Sequence, residues 1–223
     1  MIIAAIPVKN QIRWTAPLVE GLLWGDQIDE LWLYDNGSTD KTKEWIINRA
    51  RIDSRIKYFY VPQMRIYDMW NDMIKRASTI NESKLAILNN DIRLPFMALK
   101  NMYDAMNDYK VLMIDKTINS FYHINNVVVE EANWWDKTGW AFMIDPHFWI
   151  NQEWAIHPGL KFWWGDDDLF RRCQNGGGKI GIAKGIGCDH LEHSSDSEYN
   201  GDRIKDIEED REFFKNLWGD EYA

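Results

Sequence analysis

Four short apolar runs in the first 110 residues, each stopped by polar turn formers and each followed by a helical pattern, leave this chain few folds to choose from. Ile2–Ile6 is β-branched and halts at Pro7, and a helix pattern follows from Thr15 to Trp24, with Thr15 as its cap and Gly25 beyond it. Glu30–Tyr34 ends in Asp35-Asn36-Gly37-Ser38-Thr39-Asp40, which also caps a helix over 41–50. Ile56–Val61 stops at Pro62, and Ile66, Met69, Trp70, Met73, Ile74 and Ala77 then share one helical face. Lys84–Leu88 halts at Asn89-Asn90-Asp91, and Pro95 opens a helix towards Asn107. Alternation of this kind predicts an α/β fold with a mostly parallel, doubly wound central sheet flanked by helices. Ligands of such sheets sit off the carboxyl ends of the strands, where Pro7–Asn10, Asp35–Asp40 and Asn89–Asp91 all fall.

The second half is less regular. Val111–Asp115 and Trp140–Ile144 read as strands, while Ile118–Asn133 has no clear period. Trp163-Trp164-Gly165 leads into Asp166-Asp167-Asp168, which opens a helix ending near Gly176–Gly178. Lys179–Ala183 and Gly185–Cys188 read as short strands. Ile204, Ile207, Phe214 and Trp218 fall near helical spacing and predict a charged final helix with one apolar stripe.

A length of 223 residues suits one domain. The net charge of −9 is concentrated at the end, where residues 196–223 hold ten acidic and four basic side chains, and it disfavours nucleic acid as a partner. Thirteen tryptophans are many for this length; packing and stacking on sugars or bases are the two uses of such a ring. Cys173 and Cys188 have no metal-type spacing and fit a reducing compartment. The apolar opening is too short for a signal peptide or a membrane span, so a cytoplasmic protein is expected.

Three clusters carry candidate chemistry. Asp35 lies where a nucleotide would meet the sheet, and Asp91, beside Asn89 and Asn90, offers oxygen ligands to a hard cation such as Mg²⁺ or Mn²⁺. The same Asn-Asn-Asp also serves as a turn and cap. Three adjacent acids at 166–168 exceed what a helix start needs, and a carboxylate beside a Trp wall gains proton affinity, as a general base requires. His190 and His193, three apart, are candidate metal ligands or ordinary surface histidines.

Taken in order, these residues resemble the family 2 glycosyltransferases of the GT-A fold. Ile6–Asn10 is similar to that family's first strand and loop, Leu31–Asp40 to its Asp-x-Gly-Ser-x-Asp signature, and Asn71 to the Asn of its third segment. Leu88–Asp91 sits where the family has Asp-x-Asp, with Asn89 replacing the first acid; Gly165–Leu169 followed by Arg171 or Arg172 is similar to its base-bearing motif. The resemblance implies a GT-A catalytic domain over 1–195, with a nucleotide-sugar half at 1–110 and an acceptor half at 111–195, and an acidic helical segment at 196–223. It implies that Pro7, Val8, Asn10, Asp35, Asn71 and Asn90 serve the nucleotide, and that Asp91 with His190 or His193 holds Mn²⁺ or Mg²⁺ on the diphosphate. Asp166 or Asp167 would be the base of an inverting transfer to a glycan, protein or small-molecule acceptor, and Trp134, Trp135, Trp140, Trp163 and Trp164 would line the acceptor side. UDP-sugar is the donor it favours. A nucleotidyltransferase would want a glycine in the first loop, and Ile6–Arg13 has none. A module that binds sugar or nucleotide without catalysis is the second reading.

Overall fold

The computed structural model describes residues 1–117, 127–136, 138–191 and 202–219. Strand β1 (Ile2–Val8) leads to helix α1 (Ile12–Leu23), β2 (Glu30–Asp35) to α2 (Thr42–Ile52), and β3 (Ile56–Tyr60) to α3 (Ile66–Ala77). Then come β4 (Lys84–Leu88), β5 (Ile92–Arg93), α4 (Ala98–Ala105), β6 (Tyr109–Ile114), β7 (Val128–Ala132) and β8 (Ala141–Ile144). Helix α5 (Gly165–Asn175), β9 (Lys179–Lys184), β10 (Asp189–His190) and α6 (Asp202–Trp218) complete the order.

The large sheet runs β3-β2-β1-β4-β8-β6-β9-β7, and β5 and β10 form a separate two-stranded ribbon. The first four strands are parallel, in register from Val8 opposite Asp35 to Ala5 opposite Ile87. Strand β8 runs antiparallel between β4 and β6, so both halves of the chain share one sheet. The expected α/β, mostly parallel sheet is thus the fold observed. Alternation along the strands builds two cores: Ala4, Ile6 and Val8 face the side covered by α1 and α4, and Ile3 and Ala5 face α3, α5 and Phe214 of α6.

Departures from expectation have local causes. Helix α1 starts at Ile12, because Asn10 and Gln11 take left-handed φ of 57° and 64° and turn the chain early. Thr15 is therefore inside the helix, where its hydroxyl accepts a bond from Asn90 at 3.1 Å. Gly185–Cys188 is not a strand; the pairing begins at Asp189, opposite Arg93. On α6, Phe214 is buried in the core and Trp218 packs against it, as the apolar stripe predicts, but Ile204 is exposed and the docked face also buries Asp210. No helix among the described residues is long and apolar enough to cross a membrane.

The seam between the halves carries a buried charge cluster. Asp145, just after β8, meets Lys84 of β4 and Lys110 of β6, each at 3.0 Å. Burial alone would raise its proton affinity, but the two ammonium groups reverse this and hold its pKa near about 2 instead of 3.8. A depressed carboxylate stabilises the fold above its unfolded pKa and loses that contribution as pH falls through the folded one. About 2 kcal/mol of stability should therefore disappear between roughly pH 4 and pH 2. Urea midpoints measured across that range should show the loss, and replacing Lys84 and Lys110 together by Met should flatten it.

Candidate active site

At the carboxyl ends of β1 and β2 the two loops are laced together by side chains. Asn10 accepts from the backbone N–H of Thr39 at 2.7 Å and of Asp40 at 3.2 Å, and its own N–H donates to Ser38 Oγ at 2.8 Å. Asp35 is fully buried, and its two oxygens accept from Ser38 N–H and from the Tyr58 hydroxyl, both at 2.8 Å. Burial first, and then the bond to Asp35, pushes the Tyr58 hydroxyl well above its usual range, so the proton stays on the tyrosine. Asn36 donates to the carbonyls of Val61 at 3.2 Å and Met64 at 2.5 Å, tying the β3 loop to the same edge. Pro7 is half-buried opposite Tyr34, while Val8 puts its side chain in the core and its carbonyl on Asn36 N–H at 2.8 Å.

Asn71 reaches the other half. Its amide donates to Ile156 O at 2.8 Å and accepts from Ala155 and Ile156 N–H, both at 2.9 Å, so one side chain pins a distant loop. Asn90 bonds Thr15 instead, holding the β4 loop to α1.

Asp91 and His190 are nearly a hundred positions apart, yet the β5–β10 ribbon sets His190 opposite Ile92 and brings Nε2 of His190 to 3.4 Å from the Asp91 carboxylate. Stacking on Trp140, at 4.9 Å between centroids and 11° between planes, fixes the imidazole. A carboxylate and an oriented imidazole, both mostly buried, fit the protein's share of a divalent cation whose remaining ligands come from phosphate and water. Among the described residues there is no cluster of three or more His, Cys, Asp or Glu side chains for a metal. His193 lies outside the described residues.

The acidic run divides into three roles. Asp168 is wholly buried and accepts from His157 N–H at 2.7 Å, Arg172 Nε at 2.8 Å and Trp218 Nε1 at 2.8 Å. Asp167 is buried too, whereas Asp166 keeps part of its surface and lies against Gly139. Any Cβ at Gly139 would overlap the Asp166 carboxylate, which is why a glycine stands there. Gly165 allows a similar approach by the Tyr67 ring, whose hydroxyl donates to Phe162 O at 2.9 Å. Trp164 takes a left-handed φ of 67°, a strained conformation immediately before the run.

A family model for glycosyl transferase family 2 matches residues 4–158. The chain belongs to that family. S. aureus TarS 1–349 in complex with UDP is similar in structure, with a TM-score of 0.62 and 15% identity, over 84% of this chain and 59% of that one. GalNAc-T7 with UDP, GalNAc and Mn²⁺ is similar at a TM-score of 0.60 and 14% identity, over 85% of this chain and 43% of that one. The mannosyltransferase PcManGT from Pyrobaculum calidifontis in complex with GDP-Man and Mn²⁺ gives 0.59 and 10%, over 87% and 58%. This chain thus spans about three fifths or less of the length of these proteins. No curated protein matches it. The GT-A fold expected from the ordered motifs is shared with these structures.

In this family 2 chain the tryptophans separate by exposure. Trp135 and Trp163 are 57% and 44% exposed, open enough to meet a ligand. Trp140 is used by His190; Trp164 stacks on Phe214 at 5.3 Å, and Trp134 is buried beside the same ring. Both cysteine thiols are pushed up to about 12 by burial and have no thiolate to offer at neutral pH. Tyr58, Tyr67, Gly139 and Asp210 also shape the site and lie outside the motifs. Only Gly139 left a trace, as an isolated glycine just before an apolar strand.

Proposed function

We propose that this chain transfers a sugar from a nucleoside diphosphate sugar to an acceptor hydroxyl in one displacement with inversion, with Asp166 as the general base. The observation that carries the reading is the Asp91–His190 pair, assembled at the carboxyl end of β4 beside the laced β1 and β2 loops. The nucleoside lies on the edge shaped by Pro7, Val8, Asn10 and Asp35, with Asn71 and Asn90 setting the loops around it. Asp91 and His190 would hold Mn²⁺ or Mg²⁺, which when bound would supply positive charge to a departing diphosphate. Arg93 of β5, two positions beyond Asp91, and Arg13 of α1 both lie over the Trp14 ring, at 5.9 and 5.1 Å.

On the other side, Asp166 takes the proton of the attacking hydroxyl. Asp168 is committed to structural bonds and Asp167 is buried, so Asp166 is the carboxylate of the run left with room for a substrate. Trp135 and Trp163 offer flat apolar surface to an acceptor that carries a sugar ring or similar face. UDP is the nucleotide favoured, by the family resemblance and by UDP in structurally similar proteins. The acidic balance points away from nucleic acid acceptors.

Thermal unfolding with UDP, GDP, dTDP and CDP, each with and without Mn²⁺, tests this without knowing the acceptor. One diphosphate at about 100 times its Kd should add about 2.7 kcal/mol and raise Tm by roughly 5–10 °C. The shift should grow with Mn²⁺ and lose that metal-dependent part in Asp91→Ala. No shift with any diphosphate would favour a protein that has kept the fold and lost the donor.

A further inference from the structure

Helix α6 lies outside the stretch matched by the family model, and its sequence is that of a charged helix with a single apolar stripe. One of its carboxylates is nevertheless 1% exposed. Asp210 Oδ1 accepts from Lys161 N–H at 2.9 Å, and Oδ2 accepts from Phe162 N–H at 2.7 Å and Trp163 N–H at 2.8 Å. Three successive backbone donors converging on one carboxylate fix the path of residues 161–163.

Those residues run straight into Trp164, with its left-handed φ of 67°, and then into Gly165 and Asp166. A strained residue keeps its conformation only where its surroundings over-determine it. Asp210 supplies that determination from one side, and the Tyr67 hydroxyl, on Phe162 O, from the other. At the far end of α6, Trp218 donates to Asp168 at 2.8 Å, and the Arg171 guanidinium lies 4.6 Å from the Trp218 ring centre. The final helix therefore grips both the approach to the acidic run and its third member.

We propose that Asp210 is a positioning residue: by capping the amides of residues 161–163, it sets where Trp163 and Asp166 stand, and α6 is thereby part of the acceptor side of the site. This rests on the reading of Asp166 as the base for its consequence in turnover, and on geometry alone for the coupling itself. Lys161 separates the two contributions of α6 to the same loop. Its ammonium pairs with Asp206 at 3.4 Å and with Glu209 on the surface, where ion pairs contribute little.

The test compares wild type, Asp210→Asn, Asp210→Glu and Lys161→Ala by amide hydrogen exchange, by diphosphate-induced thermal shift, and by slow release of sugar from the donor to water. Asp210→Asn keeps the size of the side chain but removes its charge and one acceptor, so it is expected to remain folded. In it, the amides of 161–163 should exchange at least about tenfold faster, the loss of protection should extend through 165–168, and the β1–β4 strands should stay as in wild type. Sugar release should fall about 10²-fold with the diphosphate shift unchanged, the mark of a misplaced base rather than a lost donor site. Asp210→Glu, which keeps the charge, should restore part of both, and Lys161→Ala should change neither. Protection at 165–168 that is indifferent to Asp210→Asn, or release that does not fall, would overturn the proposal. A wild type that binds no diphosphate and releases no sugar would sink the transfer reading instead, while the exchange data would still decide the coupling.

Discussion

Replacing Asp166 by Asn lowers turnover by about 10³-fold and leaves the diphosphate-induced rise in Tm intact. The magnitude is that of removing a general base, and the substitution keeps the shape of the side chain while abolishing its capacity to take a proton. The separation of the two readouts follows from the fold: Asp166 opens α5, whereas the donor edge is built from the β1, β2 and β4 loops. A variant that leaves Asp166 itself unchanged should point the same way. In Gly139→Ala the new methyl would overlap Asp166, so the carboxylate must shift, and turnover should fall by about 10²-fold. Steady-state rates with donor alone are enough to measure both. Full turnover in Asp166→Asn would move the base to Asp167 or end the single-displacement reading.

Two positions further on, the same residue type should behave in the opposite way. Asp168→Ala removes a buried carboxylate that accepts from His157 N–H, Arg172 and Trp218 at once, leaving a guanidinium and two N–H groups without their acceptor. Breaking a buried pair from one side costs about 3–5 kcal/mol, which for a chain of this size lowers Tm by roughly 6–20 °C. Calorimetry or urea unfolding would show it, and a loss below about 1 kcal/mol would mean that Arg172 and Trp218 find new partners. Carboxylates two positions apart on one helical turn thus divide, one affecting rate and the other stability.

The alternating strands and the polar clusters at their ends were legible because period-2 burial and turn chemistry are local properties. Ile3 and Ala5 against Ala4 and Ile6 show it residue by residue. The pairing of Asp91 with His190 was legible only through the family resemblance, and with His193 as its alternative, since a two-residue ribbon leaves almost no pattern in the sequence. The role of α6 was not legible. Asp210 sits among charges typical of a solvated face, and what distinguishes it is three backbone N–H groups of another segment, which no side-chain pattern records. The same holds for Tyr58 and Tyr67, whose hydroxyls meet Asp35 and a backbone carbonyl. Trp164, read with its neighbours as part of the acceptor side, stacks its ring on Phe214 of α6, a contact that its own surroundings in the sequence do not announce.

Strand β8 stands between β4 and β6, and this bears on how the chain comes off the ribosome. When residues 1–110 have been made, the four parallel strands can already associate, but Leu85–Leu88 of β4 still presents an unpaired edge with apolar side chains on both faces. That edge is covered only once Ala141–Ile144 has emerged and turned back into the gap. Until then the nascent protein carries a sticky margin, so a fragment cut near residue 110 should aggregate rather than persist as a free-standing nucleotide module.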